Sequence, residues 1–254
     1  MNAIPADSCD TQPPARPPAG PCTLVLASRS PRRRRLLSWL GLPFASTEVD
    51  TPEDLDSPLA SDPPALAISL AAEKAVAALE TGVAAVAGGA PAVVLCFDTI
   101  VVLDDRVLGK PADVADAWRM LRALSGRTHE VVTGVAILSP DSTAPRTFAV
   151  TTEVAMRPLD DAAIEEWMAH GTFLGCAGAY NIEAQVAEVS ACECYQNVAG
   201  LPLCHVYAAL ASNAEMLELL PGEPCVPVAP CDAALGRRCE LGPQVTIGGG
   251  QRNG

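Results

Sequence analysis

Two stretches of this sequence carry side chains that could do chemistry on a phosphate. The first is Ser28-Arg29-Ser30-Pro31, followed by the arginine run Arg32 to Arg35. Ser30 suits a helix N-cap. Pro31 suits the first helical position, where its missing N–H had no partner to lose. Hydroxyls, guanidiniums, free backbone N–H groups and the positive end of the helix dipole are therefore delivered to one place. That place fits an anion with several oxygens, a polyphosphate above all, with Ser28, Arg32 and Arg33 as its ligands. A merely solvated cationic face is the competing reading. The second stretch is Leu95-Cys96-Phe97-Asp98-Thr99. A carboxylate at the carboxyl end of a buried strand stands where α/β proteins form their sites. Asp98 there could bind a divalent metal, take a proton from water, or do both in turn; a simple turn aspartate is the alternative. Lys74, in an otherwise apolar helical stretch, and Lys110, between Gly109 and Pro111, are the further cations able to offset phosphate charge.

The elements that must position these groups can be read from the apolar spacing. Leu24 to Ala27 reads as a buried strand. Leu36, Leu37 and Leu40 follow at helical spacing and Gly41 stops the helix. Thr47 to Pro64 is an acidic loop containing Asp50 and Glu53. Pro64 to Glu80 is a helix carrying Lys74. Val93 to Phe97 is a strand ending at Asp98, continued by Ile100 to Leu103, a turn at Asp104-Asp105 and a return through Val107-Leu108. Asp113 to Leu124 is a helix. Glu130 to Leu138 and Thr147 to Met156 form a hairpin, and Asp160 to His170 is a further helix. The last ordered pieces are Cys176 to Ile182, Gln185 to Val189 and a helix from Leu201 reaching about Leu217. This alternation predicts an α/β fold with a mixed twisted sheet flanked by helices. The expected organisation is a proline-rich, disordered extension over 1–21, one domain over 22–220, and a tail rich in proline, glycine and cysteine over 221–254.

Composition narrows the function. The chain has 17 basic and 30 acidic residues, a net charge of −13, which argues against a polymeric nucleic acid partner. No apolar run is long enough for a membrane span, and the first residues do not read as a signal peptide, so a cytoplasmic location is expected. The ten cysteines include no CxxC pair and read as buried or idle thiols, with a zinc site as the alternative.

Five segments, in order, resemble one family. LASRSPRRRRLL is similar to the opening signature of the Maf-type nucleoside triphosphate pyrophosphatases. FDTIVVLDDRVLGKPAD, SGRTH, GCAGAYNIE and NVAGLPL resemble its later elements. The resemblance runs from about Leu24 to Leu210. It implies two lobes around a central cleft, often in a homodimer, and hydrolysis of a nucleoside triphosphate to the monophosphate and pyrophosphate. It makes Asp98 the general base, Asp98 and Glu53 the holders of Mg2+ or Mn2+, and Ser28, Arg32, Arg33, Lys74 and Lys110 the substrate contacts. The base-reading positions point two ways. Arg32 and Thr99 resemble the subgroup acting on thymidine and uridine triphosphates. Glu183, with Cys176, resembles the one acting on methylated guanosine triphosphate. His129, in the SGRTH element, reads as structural. The alternative is a nucleotide-binding regulator without turnover, linked to septum formation.

Overall fold

The structure is a computed structural model that describes residues 22–248, apart from 82, 84–86, 89, 141 and 185. The extension expected over 1–21 lies outside the described residues. A mixed sheet of seven strands organises the chain, in the order β2-β1-β3-β5-β6-β7, with β4 paired to the far end of β3. These are β1 (Thr23–Ala27), β2 (Phe44–Thr47), β3 (Ala92–Leu103), β4 (Arg106–Leu108), β5 (Thr128–Leu138), β6 (Arg146–Met156) and β7 (Ala187–Glu188). The two parallel pairings are those of β1, with β2 and with β3. The other pairings are antiparallel. The central strands are apolar on both faces because helices cover both.

Strand alternation divides the core. Leu24, Leu26, Leu95, Phe97 and Val101 face the larger cluster, with Leu36, Leu37 and Leu40 of α1 (Pro31–Ser38) and Leu121 and Leu124 of α3 (Val114–Leu124). Val25, Ala27, Val94 and Cys96 face the opposite way, against Ala71, Ala75 and Ala78 of α2 (Pro63–Thr81). The small side chains of α2 let it lie close to the sheet. At the crossing, a Cβ added to Gly134 of β5 would sit 1.9 Å from the Ala67 carbonyl oxygen, so only glycine fits.

Three expectations are corrected. β3 does not end at Asp98; it runs twelve residues, to Leu103. β1 stops opposite Cys96 and β4 begins only opposite Val101, so Phe97 to Ile100 have β5 on one side and an open edge on the other. The gap in pairing, not the end of the strand, exposes the site. The residues after Pro221, expected as a tail, carry α8 (Val228–Leu235) and α9 (Leu241–Gly248). The helix after Leu201 is also broken, into α6 (Leu203–Ala211) and α7 (Ala214–Leu219), because the Asn213 side chain caps the second. The remaining helices are α4 (Asp161–Ala169) and the single turn α5 (Tyr195–Val198).

Candidate active site

A cavity of about 700 Å3 opens beside the unpaired edge of β3. Its lining brings together Ser28, Arg32, Arg33, Glu53, Lys74, Asp98, Thr99 and Lys110. These come from four places: the β1–α1 turn, the acidic loop, α2, and β3 with the segment after β4. Glu183 does not join them. It pairs with Arg35 and lines a separate cavity.

Alternation along β3 aims the chemistry. Asp98 has the parity of Cys96 and Ile100, so it points to the α2 face, where Lys74 meets its Oδ2. Lys74 Nζ also donates to Glu53 Oε1 at 3.0 Å, and Lys110 Nζ donates to the same oxygen at 2.5 Å. Asp98 is 3% exposed. Burial pushes the Glu53 carboxyl up, but Lys74 and Lys110 outweigh it and hold the group below its usual range. The result is a chain of alternating charge, Asp98–Lys74–Glu53–Lys110, along one wall.

Thr99 has the opposite parity and meets α1. Arg33 Nη2 donates to Thr99 Oγ1 at 2.9 Å, Nη1 to the Phe97 carbonyl at 2.9 Å, and Nε to the Gly200 carbonyl at 2.7 Å. Burial pulls this guanidinium below its ordinary value, and Asp98 partly restores it. Arg33 therefore ties three segments together at the cavity floor. Arg32 is different. Its Nη2 reaches only Cys176 Sγ, at 3.6 Å, and its buried Nε has no partner. The other two arginines of the run turn away, Arg34 to the Arg29 carbonyl and Arg35 to Glu183. Ser30 caps α1 as expected, its Oγ accepting from the Arg33 N–H at 3.3 Å. Ser28 Oγ accepts from the Ser30 N–H, which leaves its hydroxyl hydrogen to donate into the cavity.

Two supports escaped the sequence reading. Thr133 Oγ1 lies 3.0 Å from Thr99 Oγ1 and donates to the Asn197 carbonyl at 3.2 Å. Asn197 Nδ2 donates to the carbonyls of Val131 and Val150 at 3.0 and 2.9 Å. A polar residue buried among apolar strand residues, as Thr133 is in Val131-Val132-Thr133, was the available signal. The NVAGLPL segment thus has a hydrogen-bonding hub at Asn197. Behind Tyr180, which also lines the cavity, His129 Nε2 lies 2.8 Å from the phenolic oxygen. Burial lowers the His129 imidazole to about 4 and raises the phenol.

One buried carboxylate, Asp98, and one partly buried, Glu53, from different segments suit a hard divalent cation that completes its shell with water and phosphate oxygens. Lys74 and Lys110 engage only Oδ2 of Asp98 and Oε1 of Glu53, and each carboxylate has a second oxygen. Among the described residues no three His, Cys, Asp or Glu side chains are grouped to hold a metal by themselves. The donor set fits a metal shared with a phosphate ligand and not a closed protein cage.

Fold and site define an α/β protein whose cleft presents cations and one buried, lysine-held carboxylate to a multiply charged anion. The family model described as "Maf-like protein" matches residues 23–213, and the chain belongs to that family. A relative from Xanthomonas euvesicatoria pv. vesicatoria, named dTTP/UTP pyrophosphatase, is 44% identical over 187 residues, covering 72% of this chain and 94% of the relative. Proteins of the same name from Geobacter metallireducens and Cereibacter sphaeroides are 42% and 40% identical, over 72% and 75% of this chain and 92% and 94% of theirs. No helix among the described residues is long and apolar enough to cross a membrane.

Proposed function

We propose that this protein hydrolyses a nucleoside triphosphate to the monophosphate and pyrophosphate, with thymidine and uridine triphosphates as its substrates. The carrying observation is that Asp98 and the Ser28–Arg33 turn share one cavity. The pyrimidine assignment follows the names of the relatives and the presence of Arg32 and Thr99 in that cavity, with Glu183 outside it.

In this reading the phosphates lie against the N-terminus of α1. Ser28 donates a hydrogen bond, and Arg32, the arginine with an unpartnered nitrogen, makes the charge-assisted contact. Arg33 is a positioning residue, because its donors already serve Gly200, Phe97 and Thr99. Lys110, half exposed, can leave Glu53 for a phosphate oxygen more readily than Lys74, which is 12% exposed. Asp98 orients a water and accepts its proton as that water attacks the α-phosphorus. Asp98 and Glu53 would hold Mg2+ or Mn2+, whose contribution when bound is to stabilise charge on the phosphate oxygens. No covalent intermediate is needed; positioning and electrostatics carry the rate. A homodimer is part of this proposal on the family resemblance alone.

The test is product identity. Purified protein with Mg2+ and a panel of nucleoside triphosphates should release pyrophosphate and monophosphate, fastest from the thymidine and uridine compounds. Release of inorganic phosphate and a diphosphate would overturn the reaction, and a purine preference would overturn the specificity. Asp98→Asn should lose roughly 100- to 10,000-fold in kcat, the range for a general base, with the melting temperature retained.

A further inference from the structure

The chain continues past the family match, and part of the surface where it folds back onto the domain is lined by cysteines. Cys194, just before α5, and Cys204, in α6, belong to the domain. Cys231, in α8, and Cys239, between α8 and α9, belong to the C-terminal segment. All four line one cavity of about 10 Å3, room for about one water and too little for a ligand. Within it Cys204 and Cys239 flank the same point beside Gly242. A Cβ added to Gly242 would lie 3.3 Å from Cys204 Sγ and 3.6 Å from Cys239 Sγ, so the two sulfurs are closer together than the sum of those distances. The absence of a side chain at Gly242 leaves the space between α6 and α9 open to both.

The two thiols differ in exposure. Cys204 is 7% exposed, and burial pushes its thiol up to about 12. Cys239 is partly exposed, and its Sγ accepts from the Gly242 N–H at 3.3 Å in the first turn of α9. Of the other pair, Cys194 is buried and Cys231 is 5% exposed, its Sγ accepting from Gln196 Nε2. One accessible sulfur beside one buried sulfur is the arrangement of an entry thiol and a resolving thiol.

We propose that Cys239 and Cys204 form a redox dithiol whose oxidation staples the C-terminal segment to α6. A hydroperoxide supplies the oxidising equivalent. The Cys239 thiolate attacks one peroxide oxygen, the O–O bond breaks, and an alcohol, or water from hydrogen peroxide, leaves with the proton. Cys239 is then a sulfenic acid. Cys204 sulfur attacks Cys239 sulfur, the S–O bond breaks, and the departing hydroxide takes the Cys204 proton as water. Two thiols and one hydroperoxide become one disulfide, one alcohol and one water; a small-molecule dithiol reverses the change by exchange. The link closes a loop from residue 204 to residue 239, and constraining a loop of that length disfavours the unfolded chain. The consequence is an oxidation-dependent gain in stability that leaves the catalytic cavity untouched, since neither cysteine lines it.

The experiment uses the full chain, treated with excess hydrogen peroxide and then, in half the sample, with dithiothreitol. Peptide mapping without reduction should find the peptides containing Cys204 and Cys239 linked. The melting temperature should rise by roughly 5–10 °C and return on reduction. Cys239→Ser should abolish both changes while nucleotide turnover stays at the wild-type value. Cys204→Ser should do the same; if that buried substitution impairs folding, Cys239→Ser alone carries the test. Linkage of Cys239 to Cys231 or Cys194, oxidation that stops at sulfinic acid without a crosslink, or a purified protein holding one tightly bound zinc per chain would each overturn the proposal.

Discussion

Replacing Arg33 by lysine separates its role from that of Arg32, its neighbour in the cavity lining. Arg33 donates to two carbonyls and a threonine hydroxyl, at 2.7, 2.9 and 2.9 Å. An ammonium reaching from the same backbone position can keep one of these bonds, because it lacks the planar fork that spans Gly200 and Phe97. Two hydrogen bonds from a charged donor are then lost, each contributing about 1.5–3 kcal/mol, with acceptors left beside a partly desolvated charge. The expected loss is roughly 3–5 kcal/mol, or about 10 °C of melting temperature for a chain of this size. Arg32→Lys is the control. Arg32 makes one long contact, to Cys176, so its replacement should leave the melting temperature within about 2 °C. It removes the guanidinium available to a phosphate or a base, and kcat/KM should fall roughly 10- to 100-fold. The assay pairs calorimetry with initial rates on thymidine triphosphate for both variants. If Arg33→Lys melts like the parent while binding is lost, or Arg32→Lys unfolds the protein while keeping its KM, the roles are reversed and the argument from donor accounting fails.

Other expectations concern the supports of the site. His129 is held near 4 against an ordinary 6.5, so between those values the unfolded chain binds a proton that the folded chain does not. Stability is therefore full above about pH 6.5 and falls as the pH drops towards 4, by roughly 3 kcal/mol. His205, also lowered by burial, adds in the same direction. Urea midpoints at pH 7 and pH 5 should differ accordingly, and His129→Asn should flatten most of the difference. Gly134→Ala places a methyl group 1.9 Å from a backbone oxygen of α2, so the variant should be recovered largely insoluble or melt more than 10 °C lower. Glu183→Gln breaks only the pair with Arg35, so the ranking of nucleotides should stay as it was; a changed ranking would return Glu183 to the base-reading set.

The motifs could be read because their spacing is local. Ser30 and Pro31 define the start of α1 by cap chemistry, and the alternation of β3 fixes which neighbours of Asp98 share its face. What could not be read depends on contacts across long separations. Nothing in Arg32-Arg33-Arg34-Arg35 says which arginine is spent on Gly200, 167 residues away. The open edge at Asp98 depends on where β1 stops relative to β3, a matter of register between separate segments. The placement of Glu183 is a related case. Its segment has a family-like sequence, but the fold seats it beside Arg35 in a cavity separate from the one that holds Asp98. The helices after Pro221 were missed because prolines and glycines sit at their starts and ends, where they are tolerated, and not in the interior of a long regular element.

The charge arrangement explains how an acidic protein can draw in a triphosphate. The chain carries a net charge of −13, yet the cavity lining sets Arg29, Arg32, Arg33, Lys74 and Lys110 against Asp50, Glu53 and Asp98. Most of these cations are already engaged. Arg29 bonds to Glu48 and Asp50, Arg33 to backbone carbonyls, and Lys74 and Lys110 to Glu53 and Asp98. Engagement holds each charge in place without a ligand, so little reorganisation is required when one arrives. In the proposed reaction Arg32 makes the first contact because it has least to give up. Lys110 follows, exchanging a carboxylate for a phosphate at the solvent-exposed end of the wall, and Lys74 stays on Asp98 at the buried end. The gradient of exposure along Lys110, Glu53, Lys74 and Asp98 thus orders the steps: cations near solvent move to the substrate, and the buried pair keeps the attacking water's acceptor in position.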